Sequence, residues 1–295
     1  DYGMILDIPA WVARSPAGAK ATGISTYAEA VAATRINNDY FMKHRTGACK
    51  FLNVLQGENH ADADDWYEQM KDYCDPVKYP DTHFNGWSMG GQNMCDVHLV
   101  LKRIVTLHYD GLLQSGLHDV MHFLGTSKLD WACFLTSIQR QLREHVNPNL
   151  TVSYDSASAF VATAHGLVYT SPVHTNKRWS YIMDKATDSK ALKLSTIPFP
   201  WESEIGKRLT IGDICWYGPG DLNKVGKEGK TSWDSFAYAL MMGHNVNQHI
   251  KIVQKANQIL STHYQSRYFD CAGYRTAMMD DMKVHFAKKE VLSAS

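Results

Sequence analysis

The stretch TVSYDSASAF, residues 151–160, decides the fold of this chain. Its first four residues are mostly β-branched or aromatic, and this composition predicts a buried strand. Asp155 follows at the end of that strand, and only small residues occupy positions 156–159. An α/β barrel carries its catalytic residues at the carboxyl ends of its strands, which is the position that Asp155 would occupy. The alternative is that Asp155 simply begins the next turn.

The segments around this stretch alternate between strand and helix patterns. Strands are predicted at 2–7, 50–56, 84–89, 119–124 and 151–154, and helices at 26–45, 62–73, 95–109 and 129–145. The first helix is predicted to bury one face, formed by Tyr27, Val31, Ala32, Ile36 and Phe41. The alternation predicts βαβ units and a parallel sheet. We therefore expect an α/β fold.

The strand ends favour one member of that class, the (β/α)8 TIM-type barrel. Each strand stops at a polar residue or a glycine, as expected where strand ends face one mouth. These residues are Asp7, Gln56, Gly90, Gly91, Gly125 and Asp155. A doubly wound sheet is the alternative, because five strands do not prove closure.

Three parts are predicted along the chain. Residues 1–160 form barrel βα units that carry the active site. Residues 161–230 form an inserted or appended irregular and β-rich segment, with β-like runs at 166–170 and 179–183 and a basic loop at 218–230. Residues 231–295 form a C-terminal helical part, with helices at 232–263 and 267–289. The chain opens at Asp1 and enters a strand pattern at once, so we expect an N-terminal portion to precede it.

Composition limits the classes of partner and compartment. The 295 residues include 30 Lys plus Arg and 30 Asp plus Glu, so a nucleic acid would have to be met by a local basic patch. There is no apolar run long enough to span a bilayer and no secretory signal pattern, so we expect a cytoplasmic protein. The six cysteines are scattered, which fits a reducing compartment.

Five motifs at the strand ends together resemble the tRNA-guanine transglycosylase superfamily, which exchanges guanine in nucleic acid for a 7-deazaguanine base. They are MILDIP (4–9), NVLQGE (53–58), FNGWSMGGQ (84–92), MHFLG (121–125) and SYDSAS (153–158). The segment GHNVNQHIKIVQKANQIL at 243–260 resembles the family's C-terminal helix. All of these occur in the family's order.

The resemblance implies a role for each matching residue. Asp155 stands where the family has its nucleophile, which attacks C1′ of the nucleotide. Asp7 and Gln56 stand where the family reads the edge of the base. The other base-binding positions supply backbone groups or an apolar side chain: Gly90, Gly91, Gln92 and Leu124.

These residue types suit the implied chemistry. Displacement at C1′ passes through an oxocarbenium-like state, which a carboxylate can trap covalently. Guanine offers N1–H and an amine as donors and O6 as an acceptor, so Asp7 suits the donors and Gln56 suits either. The target nucleotide must leave its stack, which costs a few kcal/mol in a duplex.

Two family features are absent from the sequence. The Asp-Ser-Gly-Gly motif, which carries another catalytic Asp, is not present, and this fits a missing N-terminal portion. Of the family's zinc ligands only Cys215 and His244 remain as remnants, and a structural zinc site needs four ligands. We therefore expect that the zinc is lost and that the protein uses no cofactor.

The substrate expectation comes from residues 157–165, where the tRNA enzymes carry an Arg-containing run and this chain has no Arg or Lys. This favours the DNA-modifying branch of phages and bacteria, with a preQ0-like base inserted, in the host cytoplasm if the protein is phage-encoded. Basic residues expected to contact phosphate are Lys177, Arg178, Lys185, Lys207, Arg208, Lys224, Lys227 and Lys230. The alternatives are the same exchange on tRNA and a non-catalytic, nucleic-acid-binding partner subunit. A homodimer is compatible with either.

Two histidine and acidic patterns point more weakly to metals. His118 and His122 have the spacing of a helical metal pair, which would suit a metal-dependent hydrolase, but they fall on a predicted strand. We therefore expect ordinary hydrogen-bonded histidines. Residues 60–65, HADADD, suggest a cation-binding loop, but a capped helix start explains them better.

Overall fold

The computed structural model describes residues 1–175, 179–187, 189–214 and 235–262. They form two compact units. Unit 1 comprises residues 1–126 and 135–155, and unit 2 comprises residues 127–134 and the described residues from 156 to 262. The boundary thus falls directly after Asp155, five residues before the predicted end of the first part. The predicted loop at 218–230 and helix at 267–289 lie outside the described residues.

Unit 1 is built on a parallel sheet of five strands that follow one another in chain order. The strands are β1 (Tyr2–Met4), β2 (Lys50–Leu55), β3 (Gly86–Met89), β4 (Val120–Phe123) and β5 (Thr151–Tyr154). The sheet curls into a half-barrel, and the predicted α/β class is confirmed. A doubly wound sheet reverses its strand order at a switch point, and the five described strands contain no reversal.

Helices cover the sheet of unit 1. They are α1 (Ala10–Arg14), α2 (Pro16–Thr22), α3 (Tyr27–His44), α4 (His60–Met70), α5 (Val97–Tyr109) and α6 (Leu129–His145), whose first residues belong to unit 2. The core includes the fully buried side chains of Trp66, Trp87, Met89, Ile104 and Phe123. The longer helices match the predicted ones, whereas α1 and α2 were not predicted. Five and seven residues are too few to show a helical period.

The predicted buried face of α3 is wrong in part. Ile36 is 68% exposed and Ala32 is exposed as well, whereas Thr34 and Asn38 are fully buried. Thr34 is buried at little cost because its hydroxyl accepts a hydrogen bond from Ile8 N at 2.9 Å and donates to Ala30 O. Asn38 Nδ2 donates to Met70 Sδ at 3.5 Å. A pattern based on apolar residues cannot find a face that is buried through such bonds.

Unit 2 combines a hairpin with helices. Its elements are α7 (Ser158–Ala164), β6 (Leu167–His174), β7 (Trp179–Lys185), α8 (Ile211–Ile214) and α9 (Ser235–Thr262). β6 and β7 pair antiparallel, so the predicted β-like runs are confirmed and are longer than expected. Val168, Phe199, Ile214 and Met241 form part of one buried cluster. No helix in the described parts of either unit combines the length and apolar character that a membrane crossing requires.

Candidate active site

The sequence-predicted site residues all follow strands of the unit 1 sheet. Gln56, Gly90, Leu124 and Asp155 come directly after β2, β3, β4 and β5, and Asp7 comes three residues after β1. The carboxyl ends of parallel strands share one edge of the sheet, so one edge carries all five. The strand β1 is shorter than predicted, and Asp7 therefore belongs to the loop rather than to the strand.

Asp7 and Gln56 form a hydrogen-bonded pair. Gln56 Nε2 donates to Oδ2 of Asp7 at 2.8 Å, and the Gln56 side chain is buried. Burial raises the pKa of the Asp7 carboxyl, and the bond from Gln56 opposes that rise. Because the amide nitrogen points to the carboxylate, Oε1 of Gln56 remains as an acceptor beside Asp7. The pair therefore suits a ligand that presents hydrogen-bond donors.

Two glycines let the turn after β3 pack against the turn after β2. A Cβ at Gly90 would lie 2.6 Å from Nε2 of Gln56. Gly91 has φ +55°, and a Cβ there would lie 2.3 Å from the carbonyl oxygen of Gly57. Gln92 N–H donates to that same oxygen at 2.8 Å. The backbone N–H of Gln92, which the resemblance assigns to the base-holding turn, is therefore used within the protein.

Asp155 presents an exposed and anchored carboxylate. Its side chain is 62% exposed. Oδ1 accepts hydrogen bonds from Gly125 N at 3.0 Å and His122 Nε2 at 3.1 Å. Oδ2 accepts none from the described residues. The cap of the following turn is Ser156, whose hydroxyl accepts from Ser158 N at 3.0 Å, whereas the Asp155 side chain bonds to Gly125 and His122.

His122 links Asp155 to Ser153 and is the residue that the sequence reading undervalued. Its Nδ1 lies 2.9 Å from Ser153 Oγ. A carboxylate only accepts, so Nε2 carries a proton toward Asp155, and in the neutral ring Nδ1 accepts from the Ser153 hydroxyl. The sheet register pairs His122 with Ser153 directly, and the two-residue period of strands puts Asp155 on the same face. That period was the available signal.

Ser153, His122 and Asp155 form a hydrogen-bonded series with the residue types of a serine-hydrolase triad, but here the Asp rather than the Ser is the exposed member. In a serine hydrolase the Asp is buried and the Ser reacts. Here the Asp155 side chain is 62% exposed, His122 only 12%, and Ser153 lies partly buried within β5. The solvent-exposed end of this hydrogen-bonded series is therefore Asp155.

The weaker metal patterns have ordinary structural roles. His118 is buried, with Nε2 donating to Cys74 O at 2.8 Å and Nδ1 accepting from Gln114 N at 3.2 Å, so the prediction of an ordinary histidine is confirmed there. Asn59 caps α4 by accepting from Asp62 N at 2.9 Å, which confirms the capped helix start. The described residues contain no cluster of three or more His, Cys, Asp or Glu arranged for a metal ion.

His244, the family's zinc ligand by resemblance, already has a partner at each ring nitrogen. Nε2 lies 2.9 Å from Tyr169 O and Nδ1 lies 2.8 Å from Ser203 Oγ. Burial lowers its pKa, which favours the neutral ring. Cys215 lies outside the described residues. The bonds of His244 do not fit a structural zinc ion, because no lone pair of the ring is free to bind one.

The next residue, Asn245, completes a buried polar link between α9 and the hairpin. Its Oδ1 accepts from Tyr169 N at 2.9 Å, and its Nδ2 donates to Thr163 Oγ1 at 2.8 Å and Leu167 O at 2.9 Å. The HN pair in the family-like helix thus has a structural role in unit 2. Sequence reasoning missed this role.

The expected phosphate contacts are only partly placed. Lys185 ends β7, while Lys207 and Arg208 close a short turn in unit 2. Lys207 pairs with Glu204 at 3.1 Å. The other expected contacts lie outside the described residues: Lys177, Arg178, Lys224, Lys227 and Lys230.

The chain matches no protein-family model, and a search of curated proteins returned no match.

Proposed function

We propose that the protein is a base-exchanging transglycosylase that replaces guanine in DNA with a 7-deazaguanine base. The observation that carries the proposal is the exposed Asp155 carboxylate, whose Oδ1 is held by two donors and whose Oδ2 accepts no hydrogen bond from the described residues. The Asp7–Gln56 pair at the same edge of the sheet supports it. We further propose that the half-barrel is part of a complete (β/α)8 barrel.

In the proposed reaction Asp155 acts twice. Oδ2 bonds to C1′ as the C1′–N9 bond breaks, and guanine leaves with that electron pair and takes up a proton from solvent. The incoming base then gives up its N9 proton, N9 bonds to C1′, and the C1′–Oδ2 bond breaks. One glycosidic bond replaces another, so the exchange needs no external energy source and no cofactor.

The Asp7–Gln56 pair explains why both bases would be accepted. Guanine and a 7-deazaguanine present the same N1–H, amine and O6 and differ at position 7. Acceptors on Asp7 and Gln56 address the shared donors. In this proposal Leu124 packs on the base, and the turn at Gly90, Gly91 and Gln92 supports it.

The curl of the sheet matters to this arrangement. β1 and β5 are the two outermost strands of the sheet, four inter-strand spacings apart. A flat sheet would separate their ends by about 19 Å, at about 4.8 Å per spacing. One purine nucleotide is too short to meet Asp7 and Asp155 over that distance. Curling of the sheet shortens the distance between its two outermost strands, which favours an exchange at this end of the sheet.

The choice of DNA rests on residues 157–165, which contain no Arg or Lys and largely form α7. The proposed partners are DNA and the free base, in the cytoplasm, with a preQ0-like base as the incoming group. Two alternatives are the same exchange on tRNA and a non-catalytic partner subunit. The anchored, solvent-facing Asp155 favours an enzyme, because a scaffold has no need of such a carboxylate.

Incorporation of labelled guanine into duplex DNA and tRNA, assayed side by side with the full-length protein, tests the proposal. We expect label in DNA only, and none with Asp155→Asn. Asp72→Asn is the matched control, because Asp72 is a half-exposed carboxylate paired with Lys78 outside the site. Label in tRNA would change the substrate and keep the mechanism. No label in either would favour the partner subunit.

A further inference from the structure

We infer that His122 is a positioning residue that holds Oδ1 of Asp155, directs Oδ2 at C1′ and keeps the glycosyl ester short-lived. This inference rests on the proposed function, since the ester is its intermediate. The resemblance gave His122 no role. The observation behind the inference is the hydrogen-bonded chain from Ser153 through His122 to Asp155.

The geometry selects one oxygen of Asp155 for attack. Oδ1 is bound by Gly125 N–H and by His122 Nε2–H, at 3.0 and 3.1 Å. Gly125 has φ +65°, a left-handed conformation that points its N–H at the carboxylate and that few other residues adopt. With both donors on one oxygen, a nucleotide that reaches the open side of Asp155 meets Oδ2.

The same two donors act on the lifetime of the ester. In the ester Oδ2 is bonded to C1′ and Oδ1 becomes a carbonyl oxygen without a full charge. Hydrogen bonds to an ionised acceptor are roughly twice as strong as those to a neutral one. His122 and Gly125 therefore stabilise the free carboxylate more than the ester. They make Asp155 a better leaving group when the incoming base attacks.

Ser153 supports the form of His122 that this role needs. The Asp155 carboxylate only accepts, so the donor to Oδ1 must be Nε2–H, and a neutral ring then leaves Nδ1 unprotonated. The Ser153 hydroxyl, 2.9 Å away, donates to Nδ1 in that tautomer. Direct pairing of His122 with Ser153 in the sheet register fixes the two side chains on one face. Removing the hydroxyl should weaken the effect without abolishing it.

The experiment measures how fast the covalent intermediate breaks down in the full-length protein. An end-labelled duplex oligonucleotide is mixed with enzyme, and an excess of guanine is then added. Decay of the SDS-stable protein–DNA complex is followed over time. His122→Leu removes the donor, and His122→Gln keeps an N–H near the position of Nε2. His60→Leu is the matched control, because His60 pairs with Asp96 at 3.3 Å elsewhere in unit 1.

With His122→Leu we expect more complex at steady state and decay slower by on the order of tenfold, the usual effect of one charge-assisted hydrogen bond. Formation of the complex should slow less than its decay. His122→Gln and His60→Leu should decay close to the wild-type rate. Ser153→Ala should lie between wild type and His122→Leu. If the Leu variant does not fold, the Ser153→Ala and Gln variants decide the matter.

Equal decay of wild type, His122→Leu and Ser153→Ala would overturn the inference alone. The inference would also fail if the Leu and Gln variants lost activity to the same extent, because that indicates a purely structural histidine. Absence of both complex and exchange in the wild type would overturn the proposed function, and this role of His122 with it. ¹⁵N NMR of the His122 ring then still reports whether Nε2 carries the proton, independently of any activity.

Discussion

Gln56 Nε2 lies 2.8 Å from Oδ2 of Asp7, and its amide occupies the space that Gly90 leaves by having no side chain. Segments that follow three different strands thus shape this one polar pair. The pair is set before any ligand arrives, because the Gln56 side chain is buried and the backbone carbonyl oxygen of Gln56 accepts from Asn93 Nδ2 at 3.1 Å. Preorganisation of this kind lowers the cost of binding a ligand.

Asp7→Asn should stabilise the protein at neutral pH. Burial raises the pKa of Asp7 in the folded state, so the folded protein holds this proton more tightly than the unfolded chain does. Stability is therefore lost as pH rises from the ordinary Asp pKa of 3.8 through the raised value. Thermal unfolding should show a higher Tm for the Asn variant at pH 7, with the difference shrinking toward pH 3. A lower Tm at pH 7 would contradict the assigned burial.

Gly90→Ala should displace the Gln56 amide without breaking the backbone of the turn. Gly90 has φ −118°, which alanine adopts, but its Cβ would lie 2.6 Å from Nε2 of Gln56. We expect a loss of about 1–3 kcal/mol of stability from overpacking and a higher KM for the incoming base. In the double variant with Gln56→Ala the stability should recover while the KM stays high. Additive losses of stability would show that the clash is not with Gln56.

His244→Gln should reduce the loss of unfolding free energy that occurs as the pH falls from 7.5 to 5. Burial lowers the pKa of His244 below its ordinary value of 6.5, so the unfolded chain binds the proton more tightly than the folded protein. Stability is then lost as pH falls through 6.5 toward the depressed value. Gln does not titrate and can still donate to Tyr169 O. Urea unfolding from pH 7.5 to 5 measures the slope, and an unchanged slope in the variant would refute the assignment.

Asn245→Leu should lower the stability of the protein more than the small change in side-chain shape would suggest. The substitution keeps the number and branching of the side-chain heavy atoms but leaves the buried Tyr169 N–H and the partly buried Leu167 O without their partner. We expect a loss of about 2–4 kcal/mol in urea unfolding. Asn245→Asp should lose less at the Tyr169 end, because its carboxylate still accepts there. A loss below that of a typical surface substitution would show that water replaces these bonds.

The strands of the sheet were predicted well from the sequence, and the loops were predicted poorly. Strand β5 and helix α6 have the predicted bounds. β-branched residues indicate the extent of β5, and a long helical repeat of apolar residues indicates the extent of α6. Asp7 was placed on a strand that ends at Met4, since a run of apolar residues continues past the last pairing with β2. Pairing partners set the end of a strand, and a single strand's sequence does not contain them.

The candidate site was predicted residue by residue but not as a set of contacts. Asp155, Gln56 and Asp7 were named as candidates because a polar residue was predicted to end each of their strands and because the family resemblance gives each of them a role. The bond between His122 and Asp155 depends on the register of β4 against β5. Nothing in either strand taken alone states that register. The alternating period of the strand could have placed His122 on the face of Asp155, but its spacing from His118 suggested a metal pair instead.

Mapping of the covalent intermediate tests the central claim most directly. The wild-type protein is incubated with a duplex oligonucleotide, denatured and digested, and the nucleotide-bearing peptide is sequenced by mass spectrometry. We predict one adduct, on the carboxyl of Asp155, and none in Asp155→Asn. An adduct on Ser153, or exchange that persists in Asp155→Asn, would contradict the account.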